Sequence, residues 1–157
     1  MVSGYGNRAL IRRILVPTDG SEGALEAAAY AARLAGSVGV SVTLLHVVDV
    51  PRIAWEDAPE LHGRLRQELT EAAKAILTLT KGRFAQAGVA VETDLREGSP
   101  AQVICEVAGQ GHHDLIVIGA RGSGASQSWL LGSVVERVMR CSPCPVLIVR
   151  WPAADAA

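Results

Sequence analysis

The sequence is short of aromatic residues: one phenylalanine, two tyrosines and three tryptophans. A core must therefore be built from Ala, Val, Leu and Ile. Its three cysteines are too few for the disulfide framework of a small secreted domain and fit a reducing compartment. With 15 Lys and Arg against 16 Asp and Glu, there is no basic excess of the kind a general nucleic-acid binder carries. No apolar run reaches the ~20 residues that span a bilayer. Residues 1–8 lack the apolar centre of a signal peptide. These absences lead to the expectation of a cytoplasmic protein with neither a nucleic-acid nor a membrane partner. Two nucleotide signatures are missing as well. No Gly-x-x-x-x-Gly-Lys-Ser/Thr occurs, which excludes a P-loop. The first apolar run is not followed by Gly-x-Gly-x-x-Gly, which argues against a dinucleotide-binding Rossmann unit.

What is present is a balanced globular composition, 49% hydrophobic and 20% charged over 157 residues. That length fits one domain, 1–157. Residues 11–16 form an apolar run that stops at Pro17. Asp19-Gly20-Ser21 is a turn, with Ser21 a good cap for an Ala-rich helix over 24–34 that ends near Gly36. Residues 40–48 are almost continuously apolar, as in a central parallel strand buried on both faces. The longest loop covers 49–59. Helical spacing follows over 61–84, with Gly88 closing the element. Residues 89–95 alternate, as a strand nearer the sheet edge does. Ser99-Pro100-Ala101-Gln102 combines a cap, a first-turn proline and a capping-box glutamine before a helix continuing over 103–108. Residues 115–118 and 145–150 are the fourth and fifth strands. The order β-α-β-α-β-α-β-α-β with short connections implies an α/β fold with a parallel sheet and right-handed crossovers. In such a sheet a ligand binds beyond the carboxyl ends of the strands.

The most informative stretch lies between the fourth strand and the last helix: Gly119-Ala120-Arg121-Gly122, nine residues, then Gly132-Ser133. Glycines there permit close backbone approach to a ligand and a positive φ. The following helix N-terminus offers unpaired N–H groups and partial positive charge to a phosphate. Ser133, three residues before Glu136, also reads as a capping box that starts the helix with or without ligand. Arg121 is either a solvated loop charge or a phosphate partner. Gly124 to Ser128 make a phosphate-cradling loop plausible, and Trp129, Leu130 and Leu131 anchor its end. Asp19 either closes an Asx-type turn or accepts a ribose hydroxyl or holds a metal ion on phosphate.

Two other patterns invite chemistry. His112-His113 precede strand four, at the sheet end away from the expected site, and read as a solvated turn. His46 is nearer the site and reads as a half-buried strand histidine. Cys141-Ser142-Pro143-Cys144 has thiol-redox spacing, but it follows a helix C-terminus, whose dipole favours the thiol; a structural role is expected. Cys105 with a distant histidine gives weak support for zinc.

Together these residues resemble the universal stress proteins, specifically the ATP-binding branch. That family's Gly-x-x-Gly, nine residues, Gly-Ser/Thr is met by Gly119, Gly122, Gly132 and Ser133. The runs Ile14-Leu15-Val16-Pro17-Thr18-Asp19-Gly20-Ser21, Leu44-Leu45-His46-Val47-Val48, Asp114 to Gly119 and Cys144 to Val149 resemble its strands. The likeness spans about 11–150. It implies a Rossmann-like, adenine-nucleotide alpha-hydrolase-like fold: five parallel strands in the order 3-2-1-4-5 between four helices. It also implies an ATP site, with Mg2+ or Mn2+ as counter-ion. Pro17, Thr18 and Asp19 would lie at the ribose and phosphates, and the main chain of Val47 at the adenine. Gly119, Arg121, Gly122, Gly132, Ser133 and Val134 would surround the ribose and phosphates. Relatives often carry a hydroxyl two residues after the Ser/Thr, where this chain has Val135.

The family further implies a homodimer joined through the fifth strands. An apolar edge strand over 146–149 agrees, because an exposed edge invites pairing with its own copy. The resulting reading is a nucleotide-binding regulatory module of the stress response, read by a protein partner. The alternative is a weak ATPase or a phosphoryl- or adenylyl-transfer enzyme on the same scaffold. Glu56, Asp57 and Glu60 would be candidates for its acceptor pocket.

Overall fold

The computed structural model describes residues 10–51, 58–122 and 130–151. Among these, the elements run β1 (Arg13–Pro17), α1 (Glu22–Val38), β2 (Ser41–Val48), α2 (Pro59–Gln86), β3 (Val91–Glu97), α3 (Pro100–Gln110), β4 (Leu115–Gly119), α4 (Ser133–Cys141) and β5 (Val146–Val149). The five strands form one sheet in the order β3-β2-β1-β4-β5, parallel at every pairing. The α/β architecture and strand order are those expected.

Alternation along the strands sorts their side chains into two layers. Ile14, Val16, Val42, Leu44 and Val117 pack on one side with α1 and with Leu77 and Phe84 of α2. Leu15, Leu45, Ile116 and Ile118 pack on the other with Ala101, Ile104 and Ala108 of α3 and Val135 and Val138 of α4. The scarcity of aromatics is met on α1 by a stripe of small residues. Ala24, Ala27, Ala28, Ala31, Ala32 and Ala35 are all buried, at the spacing that keeps one helix face against the sheet. α1 runs past Gly36, where its end was expected. It stops at Gly39, whose N–H still bonds the Ala35 carbonyl and whose φ of 73° then turns the chain out of the helix, a left-handed cap that glycine adopts without strain.

α2 is long but buries only Ala73, Leu77, Thr80 and Phe84; none of the residues of its first three turns is buried. The expected capping box at α3 does not form. Ser99 is the cap residue and Pro100 opens the helix, but no side chain caps it. Gln102 instead donates to Glu106 at 2.9 Å, one turn on.

The cysteines form a bond that spacing along the chain did not suggest. Cys141 is not a partner of Cys144; it forms a disulfide with Cys105 of α3. Packing α4 beside α3 brings the two Cα atoms to 6.0 Å, a separation that spacing along the chain could not reveal. Cys144 is unpaired, and burial pushes its thiol pKa up. The histidine pair also divides. His112 takes the exposed turn position with φ 50°. His113 is buried rather than solvated, with Nε2 3.2 Å from the Thr43 hydroxyl. Its Nδ1 is sealed without a partner, and burial, chiefly, lowers its pKa. No helix among the described residues is long and apolar enough to cross a membrane.

Candidate functional site

β1, β2 and β4 end side by side, and their carboxyl ends open into a cavity of about 580 Å³. Ligand pockets typically run from about 300 to 1,000 Å³. One wall is apolar: Leu45, Val47, Ile118, and Pro100 and Ile104 from the start of α3. The other is polar and rich in main chain: Asp19, Gly119, Arg121, Gly122, Gly132 and Ser133. Pro17, Thr18 and Val134 complete the set, so all ten residues singled out in the sequence line one space.

The β1–α1 junction is held by a chain of local hydrogen bonds. Asp19 accepts the Ser21 N–H at 3.0 Å through Oδ1, the Asx-type turn expected of it. Ser21 in turn caps α1 by accepting from Ala24. Thr18 is different. Its N–H donates to the Leu45 carbonyl and its carbonyl lies 2.7 Å from His46 Nδ1. Its hydroxyl is buried against Thr80 and accepts from Gly20. Every polar group of Thr18 thus has a protein partner, and it shapes the wall rather than offering a hydrogen bond. A carbonyl only accepts, so His46 Nδ1 carries the proton there.

The glycines have a physical reason other than the expected one. None of Gly119, Gly122 and Gly132 has a positive φ. What Gly119 and Gly122 provide is close approach. A Cβ on Gly119 would sit 2.7 Å from the Gly23 carbonyl oxygen, and one on Gly23 would sit 2.8 Å from the Arg121 carbonyl oxygen. The start of α1 and the end of β4 are therefore pressed backbone to backbone. A Cβ on Gly122 would lie 2.6 Å from Asp19 Oδ2, which places the loop against that carboxylate.

Ser133 does not cap α4. The cap residue is Gly132, with no side-chain bond, and its carbonyl takes the first helical N–H, that of Glu136, at 3.1 Å. The capping-box pattern is displaced by one because Gly132 is held by its own N–H on the Ala120 carbonyl. The amides of Ser133, Val134 and Val135 precede that first helical bond and have no acceptor within the helix. Val135 turns its side chain into the core, 2% exposed, so the hydroxyl missing at that position would not point into the cavity without a shift of the helix.

Arg121 is half-buried, with Nη2 at 3.5 Å from the Trp151 carbonyl, a marginal contact. It and Asp19 are the full charges among the described lining residues. Leu130 and Leu131 line the cavity, Leu131 also packing against the core layer that α3 and α4 cover. Gly124 to Trp129, and Glu56 and Asp57, lie outside the described residues; Glu60 is exposed in the first turn of α2. Sequence reasoning passed over Leu45, Pro100 and Ile104. Their signal, an apolar residue at a strand end or in a first helical turn, is that of any core residue.

Residues 10–150 match the model of the universal stress protein family. The chain belongs to that family. It is 38% identical over 153 residues to universal stress protein MJ0531 of Methanocaldococcus jannaschii, covering 93% of this chain and 86% of that protein. Universal stress protein UspA from Lactobacillus plantarum superposes with a TM-score of 0.83 at 28% identity, covering 91% of this chain and all of that one. Two further universal stress protein structures hold an adenine nucleotide. One is in complex with cAMP, with TM-score 0.69, 28% identity and coverage of 90% and 98%. The other, from Archaeoglobus fulgidus, is in complex with dAMP, with TM-score 0.65, 25% identity and coverage of 89% and 98%.

Proposed function

We propose that this universal stress protein binds ATP in the cavity and acts as a nucleotide-dependent regulatory module in the stress response. The observation that carries this reading is the division of the cavity wall. The apolar side, Leu45, Val47, Pro100 and Ile104, suits a flat base. The polar side suits a ribose and phosphates: the amides that open α4 face anions favourably, and Gly119, Gly122 and Gly132 keep side chains off the path. The cAMP and dAMP complexes of its structural neighbours support an adenine base over others. Asp19 is the one carboxylate in the described lining. It would take a ribose hydroxyl or, through Mg2+ or Mn2+, a phosphate. A metal there would be held by Asp19 together with phosphate oxygens and water.

The active form on this reading is a homodimer through β5, which ends the sheet order and has all four residues half-buried. Each would be covered if a second β5 paired against it. Bound ATP would bias a surface or the dimer geometry, and a protein partner would read that difference.

The test is to acid-precipitate the purified protein, chromatograph the supernatant for adenine nucleotides, and titrate stripped protein with Mg-ATP, AMP and cAMP by calorimetry. Co-purifying ATP, or a saturable Mg-ATP isotherm, is the expected result. No nucleotide and no heat with any of the three overturns the reading. Sedimentation with and without Mg-ATP reports the dimer.

A further inference from the structure

The cavity lies between the first turns of two helices that are tied to each other elsewhere. Pro100 and Ile104 of α3 form part of its apolar wall, and Ser133 and Val134 of α4 form part of its polar wall. Cys105 follows Ile104 directly, and Cys141 is the last residue of α4. Their disulfide joins positions 36 apart in sequence. The covalent loop it closes contains β4 and the glycines Gly119, Gly122 and Gly132.

We infer that Cys105 and Cys141 are a reversible thiol–disulfide pair whose state sets the affinity of the cavity for its nucleotide. This rests on the nucleotide reading given above. Without the bond, α3 and α4 are held by apolar contacts of Ala101, Ile104 and Ala108 with Val135 and Val138. Such contacts are non-directional and allow one helix to shift along the other. The bond removes that freedom and holds the two first turns in register before any ligand arrives. A site fixed in its binding geometry loses less entropy on binding. The oxidised protein therefore binds more tightly, and by linkage bound nucleotide favours the disulfide by the same factor.

The chemistry balances with a low-molecular-weight disulfide as oxidant. Cys141 is exposed and Cys105 half-buried, so Cys141 reacts first. Its thiolate attacks one sulfur of the oxidant, forming a mixed disulfide and expelling one thiolate. The Cys105 thiolate then attacks Cys141 Sγ and expels the second. Two protein thiols lose two protons and two electrons, and the oxidant becomes two thiols. A dithiol reverses both steps. Cys144 is close in sequence but stays outside the exchange. It is partly buried, and that burial raises its thiol pKa, which lowers the share present as the nucleophilic thiolate.

The experiment compares full-length protein treated with oxidised glutathione and protein kept in a phosphine reductant. Mass spectrometry of peptides cut without reduction identifies the bond. Mg-ATP titration then gives the dissociation constant of each form. Hydrogen exchange of residues 119–122 and 130–135, without nucleotide, gives the mobility of the cavity wall. We expect a Cys105–Cys141 peptide, at least about fivefold tighter binding in the oxidised form, and slower exchange there. Cys105→Ser and Cys141→Ser should each bind like the reduced protein and be insensitive to glutathione. Cys144→Ser should behave as the native chain. Equal affinities in the two states, or a bond between Cys141 and Cys144, overturns the inference. If neither state binds nucleotide, the function reading fails by itself. Exchange still decides this one: unchanged protection on oxidation overturns it.

Discussion

Asp19 Oδ2 lies 2.6 Å from where a Cβ on Gly122 would stand, so the glycine loop and the β1–α1 turn meet at a carboxylate with no room for one methyl group. Gly122→Ala must push Asp19 aside, although Asp19 Oδ1 is held by the Ser21 N–H. Because the obstacle is the end of a side chain near the surface, the cost to stability should stay within about 1 kcal/mol. Mg-ATP affinity should fall at least tenfold. Asp19→Ala should weaken binding too, and the two substitutions together should cost less than their sum, as neighbours sharing one contact do. Calorimetric titration of the four proteins measures this; strict additivity would show that Asp19 and Gly122 act on the ligand separately.

Gly119 should behave oppositely. Its Cβ would meet Gly23 backbone atoms at 2.7 and 2.8 Å, and a main chain inside a helix cannot step aside. Gly119→Ala should destabilise the fold by about 2 kcal/mol, the usual range for overpacking. Gly132→Ala meets nothing closer than 3.5 Å and should cost under about 1 kcal/mol. Urea midpoints rank them. A Gly132→Ala variant less stable than Gly119→Ala would contradict the packing account.

A buried relay ties α2 to the site. Thr80 Oγ1 donates to the Ile76 carbonyl at 2.8 Å. Thr18 therefore donates in its 3.0 Å contact with Thr80 and accepts from the Gly20 N–H at 3.2 Å. Thr80→Val keeps the shape and strands the Thr18 hydroxyl proton. It should cost about 1–3 kcal/mol and increase hydrogen exchange at Gly20. Native exchange at Gly20 in that variant would show that the relay does not hold the turn.

His113 predicts a pH dependence. Its folded pKa is lowered from 6.5, chiefly by burial, so the unfolded chain binds the proton more readily. Between the folded value and 6.5 the unfolded state carries more protons, and stability rises with pH through that window. The contribution is complete above 6.5 and is lost as pH falls. Urea midpoints at pH 7.5 and 5 should differ in that direction, and His113→Asn should reduce the difference. An identical slope in the variant would assign the effect to other groups.

Much of this was legible locally. Two periodicities and the punctuating prolines and glycines reveal nine elements in order. The glycine spacing marks residues that do converge, because the carboxyl ends of parallel strands all lie on one side of a sheet. Errors arose where a local pattern had a competing partner. Ser133 has the spacing of a cap, yet Gly132 holds that position because its N–H is fixed on Ala120. The Cys105–Cys141 disulfide was not foreseen, because the two residues meet only when α3 and α4 pack. His113 looks like half of a solvated pair, yet it is buried with Nε2 on Thr43.

The sequence by itself determined the order of elements, the parallel sheet and the end of it where a ligand belongs, because periodicity and backbone chemistry act over a few residues. Only the tertiary structure decided why Gly119 must be glycine, where the Thr18 hydroxyl goes and which cysteines meet. Those depend on distances between segments far apart in the chain, and side-chain packing sets such distances within tenths of an ångström.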